Sequence, residues 1–428
     1  MYVVESKGAA VVCMLLALFF LGTWPAFLIL LERRGRLPQH TYLDYSITNL
    51  LAAVIIALTF GEMGKSTPQA PNFFTQLSQL TQNFCTYKVV LWVTVMQDNW
   101  TSVMFAMAGG VVLTIGNIST QYAWALVGLS VTQVISTCIG VVIGTTLNYF
   151  LDDKINNAKI LFPGVACFLL ALCFGSAVHA SNAADNRAKL TSRFGADVSS
   201  VSATSKEAIG DKGCPVSYPP VRKDMEEGSS STSEVKFGTA DFLVELENRR
   251  AIKVYGESTM IGLGITFFAG LCFSLFSPAF NLATNDKWHI LKEGVPKLVV
   301  YTAFFWFSVS GFILAIILNL IFLYRPALNS PSSSVEAYLK DWNGRGWALF
   351  AGLLSGFGNG FSFMGGQAAG YAAAAAVQAL PLVSTFWDVV LFGEYRRSSR
   401  RTYGYLFSML SLFLIAVVVL MASSGHRK

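Results

Sequence analysis

The amino-acid sequence predicts an all-α membrane protein with ten transmembrane helices, arranged as two inverted five-helix repeats. Hydrophobic residues make up 53% of the 428 positions, and only 13% are charged, which is about half the usual share in a soluble domain. Many uncharged runs approach the roughly 20 residues that a helix needs to cross a bilayer. A proline-centred segment also occurs twice, once in each half of the chain. These observations indicate a polytopic protein built from two related halves.

The order of apolar and polar segments divides the chain into three regions. Residues 1–180 are expected to form the first five-helix half, and residues 258–428 the second. Between them, residues 181–257 are hydrophilic, and their polar, aperiodic composition up to residue 238 predicts a largely disordered loop. Residues 241–253 alternate apolar and charged positions at helical spacing, which predicts a short surface helix. The ten expected spans cover residues 9–31, 43–62, 101–125, 129–150, 159–179, 258–283, 296–324, 347–370, 372–393 and 402–423.

The repeated proline motif lies inside the first and sixth expected spans. Trp24-Pro25-Ala26-Phe27 in the first is echoed by Ser277-Pro278-Ala279-Phe280 in the sixth. A proline inside a helix removes a backbone donor and clashes with the preceding turn, so kinks are expected at Pro25 and Pro278. Interrupted helices at corresponding places in two halves indicate the binding site of a secondary transporter.

Further matches follow in the same order along both halves. Gly116-Asn117 in the third span matches Gly358-Asn359 in the eighth, and Asn148-Tyr149-Phe150 matches Glu394-Tyr395-Arg396. Because each half has an odd number of spans, the second half must enter the membrane from the opposite side. The sequence therefore predicts an inverted repeat, the arrangement that underlies alternating access in many carriers.

One acidic residue, Asp388, lies well inside an expected span. An ionisable side chain at that depth is costly and is typical of proton relays in pumps and transporters. The alternative is a structural carboxylate that pairs with Arg396 or Arg397. Glu394, at the edge of the same span, is the second candidate for proton coupling, with an interfacial ion pair as its alternative.

Uncharged polar and aromatic side chains within the spans suggest the kind of solute. Amides offer donors and acceptors together, and aromatic faces can stack on a planar ring. A strongly anionic substrate would instead call for Lys or Arg within the spans. The pattern therefore favours a neutral planar solute, although for each amide taken singly a hydrogen bond between helices is the favoured role. The candidate binding residues are Thr23, Trp24, Asn117, Gln121, Tyr122, Gln133, Phe280, Asn281, Asn359 and Gln378.

Enzymatic and nucleotide-dependent functions find little support. The four histidines are scattered, and the seven cysteines form no metal-binding or disulfide pattern. Residues 251–258 resemble a phosphate-binding loop, but Glu257 stands where the lysine belongs and no strand precedes it. The net charge of +6 is modest and lies in loops, which suits membrane orientation better than nucleic-acid binding. We expect no catalytic activity, no cofactor, no metal and no ATP dependence.

Several long segments resemble the plant ureide permeases. They include LGTWPAF, ERRGRLPQHTYLDYSITNLLAAVIIALTFGE, GTTLNYFLDD, SPAFNLATND, GVPKLVVYTAFF and LFGEYRR. That family belongs to the drug/metabolite transporter superfamily, whose ten-helix members are two inverted five-helix halves. The resemblance implies proton symport of allantoin, uracil and related oxo-derivatives of nitrogen heterocycles, which include purine degradation products. Carriage of another neutral metabolite, or a receptor without transport activity, are the alternatives.

The chain departs from the family pattern at three places. Residues 80–97 stand where relatives run directly from PNFFTQLSQ to DNW, and we expect a loop extension there. Gln133 replaces a glutamate that relatives tend to carry, which argues against a proton role at that position. Glu257 breaks the phosphate-loop-like segment described in family members.

Basic residues decide the expected orientation only through the central loop. The short loops on the two sides carry equal numbers of Lys and Arg, but both ends of the central loop are basic. The positive-inside rule then predicts a cytosolic central loop with both termini outside. We expect an integral multi-pass protein of the plasma membrane.

Overall fold

The computed structural model describes residues 1–4, 6–67, 70–86, 99–202, 245, 249–252, 259–289, 291, 295–328 and 330–424. Every regular element within these ranges is a helix. The protein is thus an all-helical membrane protein over the part of the chain that the structure describes.

The helices are numbered in chain order. The first half contains α1 (Lys7–Arg33), α2 (Pro38–Leu58), α3 (Phe73–Thr86), α4 (Trp100–Val127), α5 (Leu129–Leu151) and α6 (Ala158–Ser202). The second contains α7 (Thr259–Asn285), α8 (Val300–Tyr324), α9 (Val335–Lys340), α10 (Arg345–Ala369), α11 (Tyr371–Ala374), a 3₁₀ turn (Ala375–Gln378), α12 (Pro381–Val390) and α13 (Arg400–Ala422).

Nine segments of the described chain are long and apolar enough to cross a membrane. They are α1, α2, α4, α5, the first part of α6, α7, α8, the segment Tyr371–Val390 and α13. Helix α10 occupies the eighth expected span and has 25 residues, a length of about 38 Å at the helical rise. It does not belong to the nine, because its many glycines, with Asn359 and Gln367, lower its hydropathy.

The helices of the two halves pack in matching pairs. Helix α1 packs against α10 as α7 packs against α4, and α2 packs against α10 as α8 packs against α4. The remaining large contacts join α5 to α7, α2 to α8 and α6 to α13. Exchanging the two halves maps each pairing onto another or onto itself, except that the counterpart of the α5–α7 contact, between α1 and α12, is smaller.

Glycines at one common sequence offset fix these contacts. A Cβ on Gly116 would lie 2.6 Å from the Phe273 ring of α7, and one on Gly358 would lie 2.7 Å from Leu21 of α1. At the same offset, a Cβ on Gly110 would overlap a carbonyl oxygen of α8, and one on Gly352 would overlap a carbonyl oxygen of α2. Small residues thus let helix backbones approach at matching depths in both halves.

The structure corrects the expected start of the hydrophilic loop. Residues 181–202 are not an irregular loop but continue α6 as far as Ser202. This extension is held against the 396–402 turn: Asp185 accepts hydrogen bonds from the Ser399 N–H and the Thr402 hydroxyl, and Lys189 donates to the Arg396 carbonyl. Polar docking of this kind leaves no apolar periodicity, which explains why the sequence pattern missed it.

Two further predicted segments, 80–97 and 241–253, are only partly covered by the described residues. The proposed extension at residues 80–97 begins within α3, because that helix continues to Thr86, and residues 87–98 lie outside the described ranges. The expected surface helix at 241–253 is described only at Glu245, which is helical and forms an ion pair with Arg249, and at 249–252. Residues 203–244 and 253–258 also lie outside the described residues.

Both proline motifs lie within helices, as expected. Pro25 is inside α1 and Pro278 is inside α7. The expected single ninth span is interrupted instead, since α11, the 3₁₀ turn and α12 follow one another across residues 371–390. This segment, Tyr371–Val390, is called the broken span below.

Candidate functional site

A small central cavity lies between α2, α4, α8 and α10. Asn117 of α4 and Asn359 of α10 both line it. These two asparagines occupy the matching positions of the Gly-Asn repeat, so the two halves contribute the same side chain to one cavity. The other polar residues lining this central cavity are Tyr42, Tyr45, Ser46, Asn49, Thr114 and Ser308.

Trp24 stands behind this cavity. Its ring lies 5.0 Å from that of Tyr45 and 5.5 Å from that of Trp124, measured between centroids. The Tyr45 hydroxyl lies 2.6 Å from the Ser355 hydroxyl and accepts a hydrogen bond from Asn49 at 3.2 Å. Trp24 therefore positions Tyr45, which itself faces the cavity.

A second cavity lies between α5, α7, α10 and the broken span. Asn148 of α5 donates to the Ser277 hydroxyl at 3.0 Å, and Asn281 of α7 donates to Asn148 at 3.0 Å. Asn148, Ser277 and Gln378 line this second cavity. The polar contacts thus connect the proline-containing part of α7 to the end of α5.

Phe280 lies between the two cavities. Its ring stacks on Phe363, with 3.6 Å between the centroids. Phe363 lines the second cavity, while Phe307, 5.1 Å from Phe363, lines the central one. The aromatic cluster therefore forms the wall that the two cavities share.

Both cavities are small in this conformation. Each has a volume of about 30 Å³, which is about the share of one water molecule in liquid water. A planar heterocycle would fit in either space only if these helices moved apart.

Asp388 is fully enclosed, at 0% exposure. Its Oδ2 accepts a hydrogen bond from the Ser130 hydroxyl, and its Oδ1 has no hydrogen-bond partner among the described residues. The sequence suggested that Asp388 could form an ion pair with Arg396 or Arg397. Within the described residues, no salt bridge joins Asp388 to either arginine. Glu394 instead pairs with Arg33 at 2.5 Å, which agrees with the interfacial alternative for Glu394.

A larger cavity of about 220 Å³, called the vestibule, opens beside Asp388. It lies where the start of α5, the extension of α6 and the 392–396 turn meet. Ser130 and Glu394 line it, together with Arg33, His179, Lys189 and Tyr395. Asp388 does not belong to its lining, so the carboxyl group lies one hydroxyl away from this space.

Seven of the ten predicted binding residues line none of these three cavities: Thr23, Trp24, Gln121, Tyr122, Gln133, Phe280 and Asn281. Thr23 donates to the Phe19 carbonyl at 2.7 Å and accepts from the Trp387 indole at 3.1 Å. Gln121 donates to the Pro38 carbonyl at 2.9 Å. Tyr122 and Gln133 are buried. For Thr23 and Gln121, the alternative of hydrogen bonding within and between helices describes the structure.

The sequence analysis missed the polar face of α2. Tyr42, Tyr45 and Asn49 recur at helical spacing and all reach the central cavity. This spacing is a readable signal, because residues three, four and seven apart share one face of a helix. The three lie at or near the start of the second expected span, 43–62, and none was among the candidate binding residues.

Two paired acidic residues near helix ends, the buried Asp44 and the half-buried Asp341, were missed as well. Asp44 pairs with Arg36 at 2.5 Å and with Arg345 at 3.2 Å. Asp341 lies 2.8 Å from His40 and 3.3 Å from Arg36. Burial alone would raise the pKa of Asp341, but the hydrogen bond from His40 and the charge of Arg36 outweigh it and lower that pKa.

The neighbouring Tyr338 belongs to the same charged cluster. Its hydroxyl donates to Asp44 at 2.8 Å. Burial, followed by this contact with a carboxylate, raises the pKa of Tyr338 to about 12. The cluster ties the loop between α1 and α2 to the segment around α9.

Asp152 supports the beginning of the broken span. Its Oδ2 accepts hydrogen bonds from the backbone N–H groups of Tyr371 at 2.6 Å and Ala372 at 3.3 Å. A carboxylate at this position satisfies donors that the first helical turn leaves open. No cluster of three or more metal-ligating side chains occurs in the described part of the chain.

Comparison with known proteins gives a consistent result. A sequence model of the family described as ureide permease matches residues 41–423. The chain is 68% identical over 428 residues to Ureide permease 2 and 65% identical over 432 residues to Ureide permease 1, both of Arabidopsis thaliana. Each alignment covers the whole of both chains. Probable ureide permease A3 of Vigna unguiculata is 61% identical over 403 residues, covering 94% of this chain and all of that protein.

Proposed function

The chain belongs to the ureide permease family, and we propose that it is a proton-coupled secondary transporter of ureides. Allantoin is the substrate we expect first, followed by related oxo-derivatives of nitrogen heterocycles such as uracil. The observation that carries this proposal is the central cavity, where Asn117 and Asn359 converge from the two halves. Its lining contains no Lys or Arg, so the site suits a neutral solute.

The chemistry of the cavity matches the edges of such solutes. A ureide or pyrimidine presents alternating C=O acceptors and N–H donors in one plane, and asparagine amides can pair with both. Tyr42 and Tyr45 supply aromatic faces and hydroxyl groups beside them. We therefore place the solute between Asn117 and Asn359. Gln378 lines the adjoining second cavity, while Asn281 bonds to Asn148 and Phe280 stacks on Phe363, two residues of that lining. We place all three on the path that opens as the helices separate.

The matching packing of the two halves supports alternating access. In this proposal α10 is a transmembrane helix, and the fold is the ten-helix inverted repeat of the drug/metabolite transporter type. The halves are residues 1–180 and 258–428, joined by the hydrophilic segment 181–257. The exchangeable helix pairs and the glycine contacts at a common offset support this plan. Each half would rock around the solute site, which lies between α4 and α10.

Asp388 is the proposed coupling residue. A buried carboxyl group with one unpartnered oxygen is costly as an anion, so it gains a proton readily and loses it when water reaches it. We expect the proton gradient to drive uptake without ATP, in the plasma membrane, with the central segment in the cytosol. In this assignment Glu394 holds the neighbouring turn through Arg33.

Uptake measurements in yeast that lack their own allantoin and uracil permeases test the proposal. Cells producing the protein at the surface should accumulate radiolabelled allantoin and uracil saturably, more strongly at acidic external pH, and lose this accumulation with a protonophore. Surface-expressed protein that takes up neither solute would refute the proposal. Asn319→Ala is a suitable control, because Asn319 is buried in α8, lines none of the three cavities and donates a hydrogen bond to the Ala315 carbonyl of its own helix.

A further inference from the structure

The surroundings of Asp388 contain one polar route to open space. Asp388 lines none of the three cavities described above. Its only side-chain hydrogen bond within the described residues comes from Ser130, and Ser130 itself lines the vestibule. A single hydroxyl group thus stands between the enclosed carboxyl group and a cavity that can hold several waters.

Local backbone geometry holds Ser130 at this position. Gly128 ends α4 with φ of 89° and allows the chain to reverse into α5. Ser130 is therefore in the first turn of α5 and faces both the broken span and the vestibule. The hydroxyl of Tyr395, from the turn after the broken span, also faces that of Ser130.

Charged and titratable groups face the vestibule from three elements. Arg33 of α1 pairs with Glu394, so these two charges largely compensate each other. His179 and Lys189 face it from α6, and Glu394, Tyr395 and Arg396 face it from the turn after the broken span. The start of α5 contributes the Ser130 hydroxyl to this ionisable lining.

We propose that Ser130 is the hydroxyl relay through which Asp388 exchanges its proton with the vestibule on the side of the central hydrophilic segment. This inference rests on the proposed proton coupling through Asp388. A hydronium ion in the vestibule transfers its proton to Ser130 Oγ while the proton already on Oγ passes to Asp388 Oδ2. The hydronium becomes water, the carboxylate becomes a carboxylic acid, and Ser130 is unchanged. Release follows the same steps in reverse.

In this proposal, protons reach Asp388 from the vestibule and not from the solute cavity. The central and second cavities touch neither Asp388 nor Ser130. In the conformation described here, the carboxyl group therefore communicates with the vestibule side and is closed towards the solute cavity. Proton loading and solute binding then use different openings of the same protein.

Purified protein in liposomes tests the relay, with a pH-sensitive dye inside and allantoin or uracil added outside. Ser130→Ala should slow solute-driven proton movement and gradient-driven accumulation by roughly tenfold or more. Solute exchange at equal pH, and the KM for exchange, should stay at the parent values. Ser130→Thr keeps the hydroxyl and should restore proton movement. Ser136→Ala is the matched control: Ser136 is fully buried on the same helix and bonds to the Thr132 carbonyl at 2.6 Å.

The outcomes separate the relay from the proposed function. A parent protein that moves solute without protons would overturn both. A coupled parent whose Ser130→Ala variant keeps the same proton rate and pH profile would overturn the relay alone. Should Ser130→Ala fail to assemble, Ser130→Cys takes its place. Its weaker donor should give slow proton movement with normal exchange, and parental proton movement in this variant would also refute the relay.

Discussion

Helix α5 and the broken span differ although they follow matching turns. Each begins after a glycine with positive φ, 89° at Gly128 and 96° at Gly370. From there α5 continues unbroken for 23 residues. The broken span forms one short turn, a 3₁₀ turn and then a new helix that starts at Pro381.

Part of the difference can be read in the two sequences. Pro381 has no backbone N–H and therefore suits the first turn of a new helix, where α12 begins. Pro25 and Pro278 lie inside unbroken helices, so a proline alone does not interrupt a span. The interior of α5 contains no proline. In a membrane, backbone outside regular helices is tolerated only where protein or water satisfies it. The half with the interrupted helix also contains Asp388, which is fully enclosed. At matching positions, the first half therefore has a continuous helix, α5, and the second half has the broken span.

The largest expected effect concerns the acid in the broken span. Asp388→Asn should abolish concentrative, pH-driven uptake and spare solute exchange, because the amide cannot be charged or discharged. Ser384→Ala is the matched control, since Ser384 is one turn earlier on α12 and equally buried. Accumulation of allantoin against a gradient by Asp388→Asn, with unchanged pH dependence, would place the proton site elsewhere.

The two turn glycines should differ in their sensitivity to substitution. Gly128→Ala and Gly370→Ala both force a side chain into a backbone region that is nearly restricted to glycine, which costs about 1–3 kcal/mol. At Gly370 the added Cβ would also lie 2.5 Å from Asn156 Oδ1, whereas nothing lies within 4 Å at Gly128. Thermal unfolding in detergent should therefore show a larger loss of stability for Gly370→Ala. Equal losses would mean that the turn before the broken span is no more constrained than its counterpart.

The two asparagines of the central cavity test the symmetry of the solute site. Asn117→Ala and Asn359→Ala should each raise the KM for uptake about fivefold, as expected from losing a net hydrogen bond of about 1 kcal/mol. The effects should be similar for both, and Asn319→Ala should leave the KM unchanged. If only one of the two substitutions raised the KM, the solute would contact the asparagine of one half alone.

The smallest effect is expected from a deletion in the hydrophilic segment that joins the two halves. Deleting residues 203–232 should leave uptake and its pH dependence unchanged, because the composition of this segment predicts a passive tether. The deletion keeps the α6 extension, which lines the vestibule, and residues 249–252, where Arg250 pairs with Glu32 at 3.2 Å. Impaired uptake by a deletion protein that reaches the cell surface would assign the segment an active role.

Much of the helical framework could be predicted from composition and periodicity. Long apolar runs and the paired prolines located the spans, since burying polar backbone in lipid leaves few alternatives to helices. The interruption at Pro381 was readable in principle, but the apolar run across it predicted one helix. The extension of α6 was missed because polar contacts to the 396–402 turn hold it.

The site was predictable only as a list of residue types. Asn117 and Asn359 were linked by the internal repeat, and the structure brings them to one cavity. Thr23 and Gln121 have the same chemistry, yet their side chains bond to Phe19 and to Pro38. A sequence pattern does not reveal which face of a helix meets a cavity and which meets a neighbour when nearly every face is apolar.

By itself, the sequence determined the membrane class, the proline-containing helices, the family and the presence of an acid deep in the chain. These follow from local chemistry, because hydropathy, proline geometry and long motifs need no partner. The tertiary structure alone decided that Ser130 is the partner of Asp388, that Glu394 pairs with Arg33, and that Tyr45 stands between Trp24 and the cavity. The first two of these contacts join the two halves, and the third joins two neighbouring helices of the first half. Each exists only where tertiary packing brings separate helices together.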